Sequence, residues 1–339
     1  MGAIKEHHQS FYLPPDLTEM SSQFAEGFKR GESCRISDLE KIFCWMPGFL
    51  GGITGLGNQG KTTLELFLMI VKSIIDKKVW IIWSPEMVLS IKQKDGTVKR
   101  SASYIYSMLI HAYTGLNPYK HKSNQMSFEQ YNSAWKFMED HFLFLDTGRD
   151  NSYLTVAATI RKLCKEYPVY GWLIDPFKNL DFSEEKNLTK DRSLKIVVDE
   201  FKYLAMETNT CGKLILHPRS MSEKELRVDG NPKGPYRVIN QYDLLGGSIF
   251  DNSLDFIHSY YRPYIHDDPN SPYGSLFCLR QKMQELTNKR GEYDKIYYDD
   301  SKNRFYFDGV CPIDGSRIER KDISSGQTSF FEQRNAIKK

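Results

Sequence analysis

Short apolar runs alternate along this chain with longer stretches in which apolar residues recur every three or four positions. The short runs, rich in Ile, Val, Leu, Trp, Phe and Tyr, predict strands at 49–54, 79–84, 142–146, 169–175, 213–217, 254–260, 275–281, 294–299 and 304–307. The stretches at 61–76, 102–115, 127–140, 153–166 and 189–209 carry helical spacing. Strands alternating with helices predict an α/β fold with a mainly parallel central sheet and helices on both faces. The last strands follow one another without helices, which predicts an antiparallel extension at one edge. A short helix from Asp16 to Phe28 precedes this core, and the chain end is polar. The expected division is an N-terminal arm over 1–33, one α/β domain over 34–310 and a tail over 311–339. Two long polar segments, 181–192 and 219–237, resist assignment as ordered structure. Both follow predicted strands, where loops of open α/β sheets line ligand sites.

Composition narrows this picture only slightly. Charged residues make up 26% of the 339 positions and the net charge is +3, so a nucleic-acid surface has to be a local patch. The six cysteines are scattered without C-x-x-C or zinc spacing, as expected of buried thiols in a reducing, cytoplasmic setting. No apolar window approaches the ~18 residues that a membrane helix needs, and the first residues lack the apolar core of a signal peptide. No membrane partner is therefore expected.

Residues 55–62 read GLGNQGKT, a complete G-x-x-x-x-G-K-[ST] loop between a predicted strand and a predicted helix. Gly55, Gly57 and Gly60 let backbone N–H groups close around phosphates, and the helix N-terminus adds the positive end of its dipole. Lys61 is placed to reach the β- and γ-phosphates, and the Thr62 hydroxyl to ligate Mg²⁺. Residues Gly55, Gly57, Asn58, Gln59, Gly60, Lys61, Thr62 and Thr63 are thus candidate ATP contacts. Three strand ends supply further chemistry. Glu86 follows IIWSP, where a carboxylate can orient the attacking water or simply face solvent. Asp175 ends GWLID, in the form of a Mg²⁺-organising Asp or of a turn cap. His217 ends LILH, as a γ-phosphate contact or as a structural histidine.

The order of these pieces resembles the RecA-like motor domain of ring-shaped replicative helicases, of the DnaB type and the bacteriophage and mitochondrial primase-helicase type. The resemblance runs from about Phe28 to Phe307 and rests on GFKRGESCRISDLEKIF, GLGNQGKTT, IIWSPEM, YGWLIDPFKNL, LILHPRS, YDLLGGSIFDNSLDFIHSYYRP and SLFCLRQKMQELTNKRGEYDKIYYD. It implies a RecA-like P-loop ATPase that uses ATP and Mg²⁺, assembles as a homo-hexamer and moves 5′→3′ on single-stranded DNA. A primase or other replisome protein is an implied partner, and a bacterial or phage-infected cell the implied setting. Glu86 takes the role of catalytic carboxylate, Asp175 of metal holder through water, and His217 of γ-phosphate sensor. Arg280 and Lys282, two apart on one strand and so on one face, take the role of a finger reaching the neighbouring subunit's nucleotide. Lys289 and Arg290 compete for that assignment.

The same resemblance places DNA contacts on Arg219, Lys224, Arg227 and Lys233 after His217, and on the turn Gly246-Gly247-Ser248. Cations neutralise phosphates and glycine N–H groups allow close approach; Glu223, Glu225 and Asp229 dilute the first set. Ring helicases usually carry a primase or collar domain before the motor, and only about thirty residues precede it here. The expectation is either a motor whose 16–28 helix docks on a neighbour or a fragment of a longer protein. The competing readings are a RecA-like ATPase that does not unwind (a recombination mediator, scaffold or signalling ATPase) and an inactive nucleotide-binding module.

Overall fold

The computed structural model describes residues 17–27, 31–120, 122–182, 188–232, 234–284 and 289–318. In chain order the elements are α1 (Leu17–Glu26), β1 (Leu50–Thr54), α2 (Lys61–Asp76), β2 (Val79–Trp83), β3 (Leu89–Lys92), β4 (Val98–Ser101), α3 (Ser103–Thr114), α4 (Phe128–His141) and β5 (Phe142–Leu145). They continue with α5 (Tyr153–Glu166), β6 (Val169–Ile174), α6 (Lys190–Thr208), β7 (Cys211–Ile215), α7 (Glu223–Leu226), α8 (Gly247–Ser253), β8 (Phe256–Tyr261), β9 (Tyr273–Gln281), β10 (Gly291–Asp299) and β11 (Arg304–Phe307).

Nine strands form one sheet in the order β11-β10-β9-β8-β1-β7-β6-β2-β5. The six from β8 to β5 are parallel, and β9, β10 and β11 extend them antiparallel. Both expectations from the strand–helix pattern are met. The parallel strands are apolar on both faces because helices cover both. Along β2, Trp80 and Ile82 pack with α2, α3 and α4, while Ile81 and Trp83 pack with α5 and α6. A buried ion pair crosses the first of these layers: Lys213 on β7 lies 3.3 Å from Glu65 on α2, with its ammonium 4.4 Å from the Phe43 ring centroid and 4.8 Å from that of Phe256.

Three features depart from the expected pattern. An exposed two-stranded hairpin, β3–β4, stands apart from the main sheet between β2 and α3. The expected turn Gly246-Gly247-Ser248 instead opens a helix, α8, with Gly246 as its N-cap. The packed body also continues past the expected boundary at 310: Cys311 is fully buried, and Ile313 and Ile318 pack on the main cluster. The predicted arm helix is present as α1, with Leu17 and Phe24 more than four-fifths exposed. All six cysteines are free thiols.

Candidate functional site

Four adjacent parallel strands, β1, β7, β6 and β2, end on the same edge of the sheet, so the residues that follow them converge. With about 4.8 Å between neighbouring strands, this order sets the 55–62 loop beside His217, then Asp175, then Glu86. One open cleft is lined by Asn58, Gly60, Lys61, Thr62, Thr63, Glu86, Met87, Asp175, Ile215 and His217. The catalytic candidates from the four strand ends therefore face a shared space.

The loop is shaped by backbone demands that only some of its residues meet. Gly60 caps α2 with φ 87°, and a Cβ at Gly55 would lie 2.3 Å from the Tyr260 carbonyl oxygen on β8. Both positions therefore exclude larger residues. Gly57 is exposed with open space around it. Gln59 is buried, with Oε1 accepting from Leu56 N at 3.2 Å and Nε2 donating to Arg262 O at 3.1 Å, so its side chain braces the loop against the end of β8.

Lys61 is buried and donates to the loop's own carbonyls, Gly55 O at 3.0 Å and Leu56 O at 2.8 Å. Burial, with the nearby Lys178 charge, lowers its pKa to about 8, partly offset by Asp175. An anion entering the loop offers this ammonium a stronger, charge-assisted partner. Thr62 Oγ1 donates to Asp175 Oδ2 at 3.0 Å. Burial, then the Glu86 charge, pushes Asp175 up to about 6 against the opposing Thr62 bond. The buried carboxylate beside this hydroxyl is a pair of hard oxygen donors of the type that Mg²⁺ takes. Among the described residues no group of three or more His, Cys, Asp or Glu could hold a metal alone. The Thr62 and Asp175 oxygens fit Mg²⁺, which is bound through one or two protein oxygens together with substrate phosphates.

Glu86 is exposed, on a 3₁₀ turn (Pro85–Met87), and its Oε1 accepts from Asn179 Nδ2 at 3.0 Å with Lys178 Nζ at 3.6 Å. Lys178 and Asn179 escaped the sequence reading, although they follow directly on the strand that ends in Asp175. His217 is driven down to about 4 by burial, with Lys61 and Lys178 adding to the effect. It is therefore neutral at pH 7, and its Nδ1 is buried without a hydrogen-bond partner among the described residues.

Arg280 and Lys282 sit at the other edge of the sheet. Arg280 pairs with Ile257 near the start of β8, whereas β8 reaches the loop at its end. Neither can reach its own chain's cleft. Arg280 lies 3.7 Å from Asp251, and Lys282 Nζ donates to Asn252 O at 2.5 Å, both on α8. Burial and the neighbouring Lys202 lower the Lys282 pKa. Arg290 and Lys289 are exposed, and Lys289 N donates to Lys41 O at 3.2 Å.

The polar segment after His217 is ordered over its described residues. It folds around two arginines: Arg227 meets Asp267 at 2.6 Å, Glu223 at 2.7 Å and the Tyr236 ring at 3.8 Å, and Arg237 grips Asp243 through both terminal nitrogens at 2.7 Å. The expectation that Arg227 is a phosphate contact is corrected, because its buried guanidinium is already satisfied by two carboxylates and a carbonyl. Arg219 is half-exposed but pairs with Glu225 at 2.8 Å, and Lys224 is exposed. Lys233 lies outside the described residues, as do residues 183–187 of the polar segment 181–192. The expected glycine turn is also corrected. Gly247 N already donates to Leu244 O at 3.0 Å, and packing fixes both glycines: a Cβ at Gly246 would lie 2.2 Å from Leu194 Cδ2, and one at Gly247 2.2 Å from Gln241 O. Ser248 is exposed.

No family model matches this sequence, and no curated protein matches it. Solved structures do match. The separately solved ATPase domain of a DnaB-like helicase superposes with a TM-score of 0.65 at 14% identity, over 86% of this chain and 96% of that one. A longer DnaB-like replicative helicase, solved for its interactions with primase, superposes with a TM-score of 0.63 at 14% identity, over 85% of this chain and 66% of its own. The fold is therefore RecA-like, of the type found in DnaB-like helicase ATPase domains.

Proposed function

We propose that this chain, with the fold of the DnaB-type ATPase domains, is an ATP-hydrolysing motor that works on single-stranded DNA as a homo-hexameric helicase. The observation that carries this reading is the cleft in which Lys61, Thr62, Asp175, Glu86 and His217 converge from four loops. Lys61 leaves the loop carbonyls for the β- and γ-phosphates, and the α2 N-terminus holds their charge. Thr62 and Asp175 would hold Mg²⁺, which would supply charge neutralisation at the phosphates. Glu86 orients the attacking water, and neutral His217 contacts the γ-phosphate and transmits its loss to the segment beyond it.

The placement of Arg280 and Lys282 supports a shared site. Both are far from the cleft of their own chain, so a role in hydrolysis requires a neighbouring copy. A finger contributes about 10³–10⁵ in rate, or roughly 4–7 kcal/mol of barrier, so an isolated subunit hydrolyses ATP poorly. In this assembly residues 34–310 and the packed segment to 318 form the motor domain, residues 1–33 form an arm, and the exposed apolar face of α1 docks on a neighbour. DNA contacts fall to Arg219, Lys224, Lys233 and Ser248, with movement 5′→3′ and a primase or other replisome protein as partner.

The test is unwinding of duplexes carrying a single 5′ or 3′ tail. ATP-dependent separation of the 5′-tailed substrate alone supports the reading. DNA-stimulated hydrolysis without separation of either substrate moves the chain to the non-unwinding ATPases.

A further inference from the structure

We propose that the β3–β4 hairpin is a separate single-strand contact, gripping the DNA phosphate backbone next to the segment that carries Glu86. This rests on the DNA-dependent reading above and adds a site to it. The hairpin is the element that the apolar pattern did not reveal, and every residue from 89 to 100 is exposed. Among the described strands, its two pair only with each other. Arg100 tethers it to the body, pairing with Asp146 at 2.9 Å and also donating to the Gly148 carbonyl.

The charge on this hairpin is uncompensated. It carries Lys92, Lys94, Lys99 and Arg100 against one acid, Asp95. The Asp95 carboxylate is spent within the turn, accepting from Thr97 N at 2.9 Å and Thr97 Oγ1 at 2.6 Å. Arg100 is taken by Asp146, but Lys92, Lys94 and Lys99 have no carboxylate partner among the described residues. In the register Ile91↔Lys99 and Lys92↔Val98, facing residues share a side and successive residues alternate. Lys92 and Lys99 therefore project to opposite faces just below the Lys94 turn, and three free ammonium groups ring the tip.

That arrangement suits a phosphate chain better than a protein. The exposed apolar residues are split, with Leu89 and Ile91 on one face and Val98 on the other, so neither face has the apolar centre of a protein interface. Flexible point charges without a shaped pocket neutralise phosphates irrespective of sequence. The location adds a consequence. Only Met87 and Val88 separate Glu86 from β3, so a strand seated on the hairpin bears directly on the turn that carries the hydrolytic carboxylate.

The triple variant Lys92→Gln/Lys94→Gln/Lys99→Gln tests this, with binding to labelled oligo-dT read by anisotropy between 50 and 200 mM salt. Each phosphate contact contributes about 0.7 to the log–log salt slope for single strands. Losing three flattens the slope by about 2, so this fourfold salt increase should weaken the native chain about 20-fold more than the variant. The DNA concentration for half-maximal ATPase stimulation should rise, while the DNA-free rate and thermal midpoint stay unchanged. Equal salt slopes for the two proteins overturn the proposal. Equal slopes with a smaller assembly for the variant make the hairpin a contact between copies, which also overturns it. A native chain that binds no oligo-dT defeats the DNA reading itself, and this site with it.

Discussion

Replacing Asp175 by Asn should make the nucleotide-free protein more stable while abolishing ATP hydrolysis. Asp175 is buried, and its carboxyl is raised from 3.8 to about 6, chiefly by burial and then by Glu86. At about 1.36 kcal/mol per pH unit, ionising it inside the folded chain costs on the order of 3 kcal/mol. Because the folded pKa is the higher one, the stabilisation by the bound proton is complete below about pH 4 and is lost as pH rises through about 6. An Asn never ionises, and its amide oxygen can still accept the Thr62 hydroxyl bond. The melting temperature of Asp175→Asn should thus exceed that of the native chain by roughly 5–10 °C at pH 8 for a domain of this size. By pH 5 about half of that gap should have closed. Differential scanning fluorimetry without nucleotide or divalent cation reads this directly. Equal melting temperatures at pH 8, or a gap that does not change with pH, would refute the assignment of Asp175 as a strained, cation-seeking carboxylate.

Lys61→Ala should abolish hydrolysis, and near-native turnover would remove the phosphate-loop assignment. Glu86→Gln should bind ATP normally but hydrolyse it about 10²–10⁴-fold more slowly, the range for a lost general base; nucleotide-binding titration alongside turnover separates the two effects. Mixing Lys61→Ala with Arg280→Ala subunits should restore part of the activity, because mixed rings contain some sites built from two intact halves; no recovery at any ratio counts against the finger. Lys213→Met should destabilise the fold by about 3–5 kcal/mol by leaving the Glu65 carboxylate buried without its cation, whereas Lys213→Met/Glu65→Leu should recover most of that loss in a denaturant titration.

What could be read from the chain, and what could not, follows the range of the interactions. A five-residue apolar run such as Val79–Trp83 reports its burial on both faces by itself, so the parallel core was legible. The phosphate loop was equally so, because its eight-residue pattern is local, although the need for Gly55 and the role of Gln59 depend on Tyr260 and Arg262 at the end of a distant strand. The β3–β4 hairpin was not legible in the apolar pattern because residues 89–100 all face water, and its one local marker was Asp95-Gly96 in the turn. Arg227 read as a DNA cation because its partner, Asp267, lies forty positions away. Gly246 read as part of a turn for the same reason, since the distant Leu194 imposes its lack of a side chain.

Whether this cleft hydrolyses ATP under the control of a DNA strand is decided by the ATPase rate with and without single-stranded DNA at low and high salt. Stimulation should be strong and should fade as salt rises, because phosphate neutralisation drives the contact. A rate indifferent to DNA at every salt concentration would contradict it, leaving an ATPase with no nucleic-acid coupling.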